Sequence, residues 1–155
     1  GMNALHVAAL YNRLDIAKQL IHHVAYPLSL NITHSLGKNP LDEAIFSHSL
    51  DIVEYFLQEN EWSIRELEKA KQMAVDYQRM SIHRYHLDSE AAAQERYVEE
   101  ISAYASIIEL LDEKLFSMRQ LVIHPISLFS EAVVSLSDST ADSLDTSIPI
   151  HFRHA

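Results

Sequence analysis

The sequence predicts an all-α fold, built as a helical solenoid with long C-terminal capping helices. Apolar residues recur at steps of three and four along most of the 155 residues, which is the spacing of a helix face directed at a core. A line of sequence at residues 1–21 is also written again at residues 37–57. Repetition at such a period is typical of small helical units that stack on one another.

The two lines, GMNALHVAALYNRLDIAKQLI and GKNPLDEAIFSHSLDIVEYFL, keep one register, because each matching position lies 36 residues from its counterpart. The matching pairs are Gly1 with Gly37, Asn3 with Asn39, Leu5 with Leu41, Ala8 with Ala44, Asp15 with Asp51, Ile16 with Ile52 and Ile21 with Leu57. Each line therefore predicts two short helices joined by a turn.

Local signals support the paired helices. Asn3 and Asn39 are suited to cap a first helix, and the turn falls at Asn12 in one line and at His48 in the other. Asparagine tolerates the left-handed conformation that such a turn requires. Asn60 follows the last helix of the second line, so we expect a left-handed C-cap there. The second helices carry their apolar residues on one side: Leu14, Ile16, Ala17, Leu20 and Ile21, then Leu50, Ile52, Val53, Phe56 and Leu57.

The segments GMNALHVAA and GKNPLDEA resemble the signature of the ankyrin repeat. The resemblance covers residues 1–60, with repeat 1 at 1–36 and repeat 2 at 37–62, and implies L-shaped helix pairs stacked on each other. It also implies that His6 ties one unit to the next. The spacing of 36 exceeds the family's usual length of about 33, so we expect a lengthened loop over 25–38.

The rest of the domain, which we predict to span 1–136, continues the stack irregularly. Ser63 and Glu66 have capping-box spacing, and a second long helix is expected from near Asp88 to Phe116. Together they form an elongated, degenerate repeat at 63–118. A capping helix is predicted at 124–136, where Pro125 stands at the start, and residues 137–155 form a polar, acidic tail.

Charge and composition exclude several classes of function. The formal charge is −10 and the chain has no cysteine, so disulfides and zinc–thiolate sites are excluded, and an acidic field repels phosphate backbones. We expect neither nucleic acid nor membrane as a partner. The first twenty residues lack the pattern of a signal peptide, which favours a cytoplasmic protein.

No motif of a known catalytic site occurs, and two glycines cannot build a usual phosphate-binding loop. We therefore predict a protein that is not an enzyme and has no cofactor. The pairs His83 with His86 and His151 with His154 have a spacing that suits a metal on a helix, but two ligands do not complete a site. Solvated histidines are the simpler interpretation.

Exposed positions of the stack are the predicted partner-binding residues, because the resemblance implies that hairpin tips and first helices hold the partner. The predicted set is Met2, Leu10, Tyr11, His34, Ser35, Lys38, Phe46 and Ser47. Large apolar side chains on an exposed groove are typical interface anchors. The alternative is that the loop at 26–36 or the C-terminal tail covers them.

The leading hypothesis is a non-catalytic module that binds an unknown partner protein through the concave face of the stack, as a monomer, with a dimer as the alternative. A second hypothesis is a bacterial effector, delivered into a host cell, because the Ser/Thr/Asp-rich segment 137–155 resembles a translocation signal in composition. The remaining hypotheses are a metal-binding, His-rich protein and a self-associating helical scaffold.

Overall fold

A computed structural model describes the backbone of residues 1–141 and the side chains of residues 1–122. Within these residues the protein is all-helical and follows the predicted ankyrin-type arrangement. The helices are α1 (Ala4–Leu10), α2 (Leu14–Ile21), α3 (Pro40–Phe46), α4 (Leu50–Glu59), α5 (Ile64–Leu87) and α6 (Ala91–Ala141).

The chain divides into two compact units, Gly1–Ser117 and Met118–Ala155. The predicted domain, 1–136, extends past this division. The first unit holds every contact discussed below, and the described part of the second unit, 118–141, is helical. None of the described helices combines the length and the low polarity needed to cross a membrane.

Both first helices begin as the sequence predicts. The side chain of Asn3 accepts hydrogen bonds from the backbone N–H groups of Leu5 and His6, and that of Asn39 accepts one from Asp42. His6 and Asp42 bond back to the cap backbone in return, which completes a capping box in each repeat. Amide groups that a helix start leaves without partners are thereby satisfied, three in the first copy and two in the second.

The turns within the repeats are also confirmed. Asn12 and His48 have φ angles of 52° and 46°, the left-handed region that lets the second helix double back. The expectation for Asn60 is wrong, because its φ and ψ are −134° and 150°, an extended conformation. The chain leaves α4 extended since Trp62 folds back and donates its indole N–H to the carbonyl of Phe56 at 2.9 Å.

The repeats stack through α1 and α3, and small residues allow their close approach. Ala8 and Ala44 are buried at this contact, and Ile45, a large residue in the same layer, is fully buried as well. His6 has the tying role that the resemblance implies, because its Nε2 lies 3.1 Å from the carbonyl oxygen of Lys38, at the start of repeat 2.

The lengthened loop, residues 22–39, packs along the stack. Leu30 is buried, and the N–H of Leu28 donates to the carbonyl of Leu20. His34 is buried too, with its Nε2 2.8 Å from Oε1 of Glu43 in α3. The loop therefore connects the two repeats by contacts of its own, with repeat 1 through Leu28 and with repeat 2 through His34.

The third unit is much longer than the repeats, since α5 has 24 residues where α3 has 7. Ser63 and Glu66 form the predicted capping box, and their hydrogen bonds lower the pKa of Glu66. The two long helices run antiparallel, because Gln78 Nε2 donates to the carbonyl of Ile101 and Ser81 Oγ donates to Glu100.

The predicted end of the second long helix is wrong. We expected it to stop at Phe116, with a new helix at 124–136, but α6 continues from Ala91 to Ala141. Residues 117–124 contain no glycine or other strong turn former, so nothing local ends the helix. Pro125 lacks an amide hydrogen and removes one helical hydrogen bond, yet the backbone is helical on both sides. The predicted tail lies, from residue 142 on, outside the described residues.

Candidate partner-binding cleft

Four of the predicted partner-binding residues line one cleft of about 600 Å³. They are Leu10, Tyr11, Phe46 and Ser47. These residues come together because α1 ends at Leu10 and α3 at Phe46, so the two helix ends and their turns lie side by side at one edge of the stack. We refer to this site as the corner cleft.

The third unit supplies the other wall of the corner cleft. The ring of Phe46, the last residue of α3, contacts Tyr77 of α5, and ten further residues of α5 follow Tyr77 before the helix ends at Leu87. At about 1.5 Å per residue, this part extends some 15 Å beyond α3. The lining residues that it and α6 contribute are Tyr77, Met80, Ser81, Arg84, Glu100 and Tyr104.

An aromatic cluster joins the two walls. The ring of Tyr77 lies 5.4 Å from that of Phe46, edge to face, and 6.0 Å from that of Tyr104, stacked. Tyr104 also donates its hydroxyl to the carbonyl oxygen of Phe46 at 3.0 Å. Such ring pairs contribute about 1 kcal/mol each beyond the area they bury, so the cleft is held in shape by its own lining.

The electrostatics of the cleft keep Tyr104 neutral. Burial, with contributions from Glu100 and Tyr77, raises the pKa of Tyr104 to about 12, against the opposing effect of Arg84. The shift favours the neutral hydroxyl, which is the form that donates to the carbonyl of Phe46. Glu100, in turn, accepts a hydrogen bond from Ser81 at 2.9 Å.

Tyr11 and Phe46 remain accessible at the mouth of the cleft, with 68% and 46% of their surface exposed. The loop does not cover them, because its buried residues, Leu30 and His34, pack into the stack instead. The alternative that the tail covers these side chains concerns residues outside the described part of the chain from 142 on. Lys38 is half-buried, and its Nζ lies 4.7 Å from the centroid of the Phe46 ring.

His34 is buried, contrary to the expectation that it is an exposed position of the stack. Its surface is only 7% exposed, since Nδ1 accepts from the N–H of Leu36 while Nε2 faces Glu43. Both ring nitrogens are satisfied inside the protein, so the side chain is unavailable to a partner. Ser47 lines the cleft, but its hydroxyl donates inward, to the carbonyl of Ala9 at 3.0 Å.

The remaining predicted residues lie elsewhere. Ser35 is exposed in the loop, and Met2 is exposed before α1. Neither lines the corner cleft. Met2 and Ser35 therefore stay predictions without support from the geometry of the cleft.

Sequence reasoning missed the wall that the third unit contributes. Tyr77 and Tyr104 are not among the predicted partner-binding residues, because apolar and aromatic residues at helical spacing usually face a core. A signal was available, because α5 is predicted to be longer than a repeat helix, and the excess must extend past the stack. Arg84 lies on that excess, and Glu100 lies on α6.

The histidine pairs do not form a metal site in the described part of the chain. No group of three His, Asp or Glu side chains there is arranged to hold a metal ion. His83 and His86 are both exposed on α5, while His151 and His154 lie outside the described residues.

Comparison with known proteins gives one family. A family model described as ankyrin repeats (3 copies) matches residues 1–66. Neither a curated protein nor a solved structure matches the chain. The matched region ends three residues into α5, so it holds both predicted repeats and the start of the third unit.

Proposed function

Residues 1–66 belong to the ankyrin repeat family, and we propose on this basis that the protein binds a partner protein at the corner cleft. Ankyrin repeats are generally protein-interaction modules and are typically non-catalytic. The proposal concerns the location of the contact. It differs from the concave face of the leading hypothesis, because the cleft lies at the ends of α1 and α3, where the helices turn.

The observation that carries the proposal is the exposure of Tyr11 and Phe46 beside a rigid wall. Two exposed aromatic rings next to a concave, partly apolar surface are typical of an interface centre. Tyr77 and Tyr104 hold this surface in place, so little conformational entropy is lost when a partner binds.

Affinity capture with quantitative mass spectrometry tests the proposal. The double variant Tyr11→Ala, Phe46→Ala removes both exposed rings, and we expect at least a tenfold loss of the captured partner, because aromatic anchors each contribute about 2 kcal/mol. A melting curve checks that the variant is folded, since Phe46 also contacts Tyr77 and Lys38.

The matched control is Tyr26→Ala. Tyr26 is an aromatic residue of the loop with 80% of its surface exposed, and it does not line the corner cleft. Capture by this variant should equal that of the wild type. A partner that is retained by the folded double variant, or lost equally from the Tyr26 variant, would contradict the proposed location.

The effector hypothesis and the metal hypothesis gain nothing from the cleft. The segment 137–155, on which the effector hypothesis rests, lies beyond residue 141 outside the described residues. Both therefore stay predictions from composition and spacing.

A further inference from the structure

Two charged residues, Arg84 and Glu100, line the corner cleft and differ in burial and in their partners. Glu100 is half-buried and accepts a hydrogen bond from Ser81 at 2.9 Å. Arg84 is exposed, and its guanidinium forms no ion pair with any described side chain. The cleft thus contains a carboxylate with an internal hydrogen bond and a guanidinium that is in no ion pair with a described side chain.

The surroundings of Arg84 favour an anion. A guanidinium presents five donors in a planar fork that fits a carboxylate with two parallel hydrogen bonds. The neighbouring lining includes Met80, Tyr77 and Phe46, whose apolar surfaces can contact an apolar side chain of a partner next to the carboxylate. Lys38, over the ring of Phe46, adds a second cation nearby.

We propose that the corner cleft recognises a peptide segment in which an acidic residue lies next to a large apolar residue, with the carboxylate on Arg84 and the apolar side chain against Phe46 and Tyr11. The inference rests on the proposed function and names the chemistry of its partner. A cleft of about 600 Å³ suits such a short segment, because ligand sites range from about 300 to 1,000 Å³.

A preference for acidic peptides cannot come from the net charge of the chain. At −10 overall, the protein repels an acidic segment at long range and attracts a basic one. Enrichment of acidic residues among bound peptides therefore has to come from a contact with a particular cation, and Arg84 is the cation of the lining.

The test begins with a random peptide library displayed on phage and selected against the full chain. We expect the selected peptides to share an Asp or Glu within a few residues of an aromatic or large aliphatic residue. A synthetic peptide of the selected sequence is then measured by fluorescence anisotropy against the wild type and against Arg84→Glu. The dissociation constant should rise at least tenfold for Arg84→Glu, because like charges then face each other.

Two further arms decide whether the effect belongs to Arg84. Arg79→Glu makes the same change of charge five residues away on α5, at an exposed side chain that does not line the cleft, and it should change affinity less than twofold. Replacing the acidic residue of the peptide with Lys should restore binding to Arg84→Glu and weaken binding to the wild type, as a specific pair requires.

The outcomes separate this inference from the proposed function. Peptides that bind, lose affinity in the Tyr11→Ala, Phe46→Ala variant and show no acidic preference would overturn the inference and leave the proposed function standing. Equal effects of the Arg84 and Arg79 variants would also overturn it. If no selected peptide depends on Tyr11 and Phe46, both proposals fail at this cleft.

Discussion

Repeat 1 and repeat 2 have nearly the same line of sequence and the same local structure, yet they differ in what surrounds them. Both first helices have an asparagine cap, and both turns use a positive φ. The difference is burial: Ile16 in repeat 1 is 49% exposed, whereas its counterpart Ile52 is fully buried. A repeated sequence therefore reproduces its helices but not the energetic contribution of each side chain.

The difference arises because repeat 2 lies between two neighbours and repeat 1 has one among the described residues. Repeat 2 receives the side chain of His6 and the loop on one side. On the other side, the carbonyl of Phe46, the last residue of its first helix, accepts a hydrogen bond from Tyr104. In repeat 1, Val7 and Tyr11 are exposed, whereas their counterparts Glu43 and Ser47 bond to repeat 1.

The largest expected effect contrasts Ile52→Ala with Ile16→Ala. Removing a fully buried isoleucine side chain leaves a cavity and should lower the free energy of unfolding by about 3 kcal/mol. Replacing the half-exposed Ile16 with alanine should lower the free energy of unfolding by less than about 1 kcal/mol. Urea denaturation followed by circular dichroism measures both, and similar losses for the two variants would show that repeat 1 is covered in solution.

An intermediate effect is expected from Tyr104→Phe, which removes the bond that ties the third unit to Phe46. The free energy of unfolding should fall by about 1 kcal/mol at neutral pH. The pKa of Tyr104 rises from 10.0 to about 12 on folding, so the folded state holds this proton more tightly than the unfolded state.

The sign of the pH dependence follows from that shift. The stabilisation linked to Tyr104 is complete below pH 10 and is lost as the pH rises towards 12. The Tyr104→Phe variant lacks this loss, so its stability should approach that of the wild type between these values. Denaturation curves at pH 9 and pH 11 test it, and a constant difference between the two proteins would argue against the raised pKa. Tyr55, whose pKa is also raised, is present in both proteins and cancels.

The smallest expected difference between the two repeats concerns their helix caps, Asn3 and Asn39. Asn3→Ala and Asn39→Ala each remove a local cap, and each should cost about 1 kcal/mol, although the two repeats differ in burial. We expect the two variants to lose similar amounts of unfolding free energy in the same denaturation experiment, because each cap depends on the residues next to it in sequence. A cost for Asn39 several times that for Asn3 would mean that the cap and the stacking are coupled.

Features set by neighbouring residues could be predicted from the sequence. The caps at Asn3, Asn39 and Ser63 and the turns at Asn12 and His48 each depend on a few consecutive residues. The left-handed cap expected at Asn60 is absent because Trp62, two residues on, bonds to Phe56 and draws the chain into an extended path. A capping preference at one residue can therefore be overridden by the packing of a large buried side chain such as Trp62.

The candidate site was only half visible in the sequence. Leu10, Tyr11 and Phe46 were predicted because the repeat register identifies exposed positions, while Arg84 and Tyr104 were not, since nothing local distinguishes them from other residues of a long helix. The burial of His34 could not be predicted for the same reason, because its partner, Glu43, belongs to α3 of the next repeat.

The helices of the repeats, their caps, their turns and their register could be predicted from the sequence. These features depend on short-range hydrogen bonds and on the spacing of apolar residues. The tertiary structure alone decided which face of each helix is covered and which residues form the corner cleft. Burial and cleft shape depend on contacts between residues far apart in the chain, such as Phe46 with Tyr77 and Tyr104, and a one-dimensional pattern does not specify those distances.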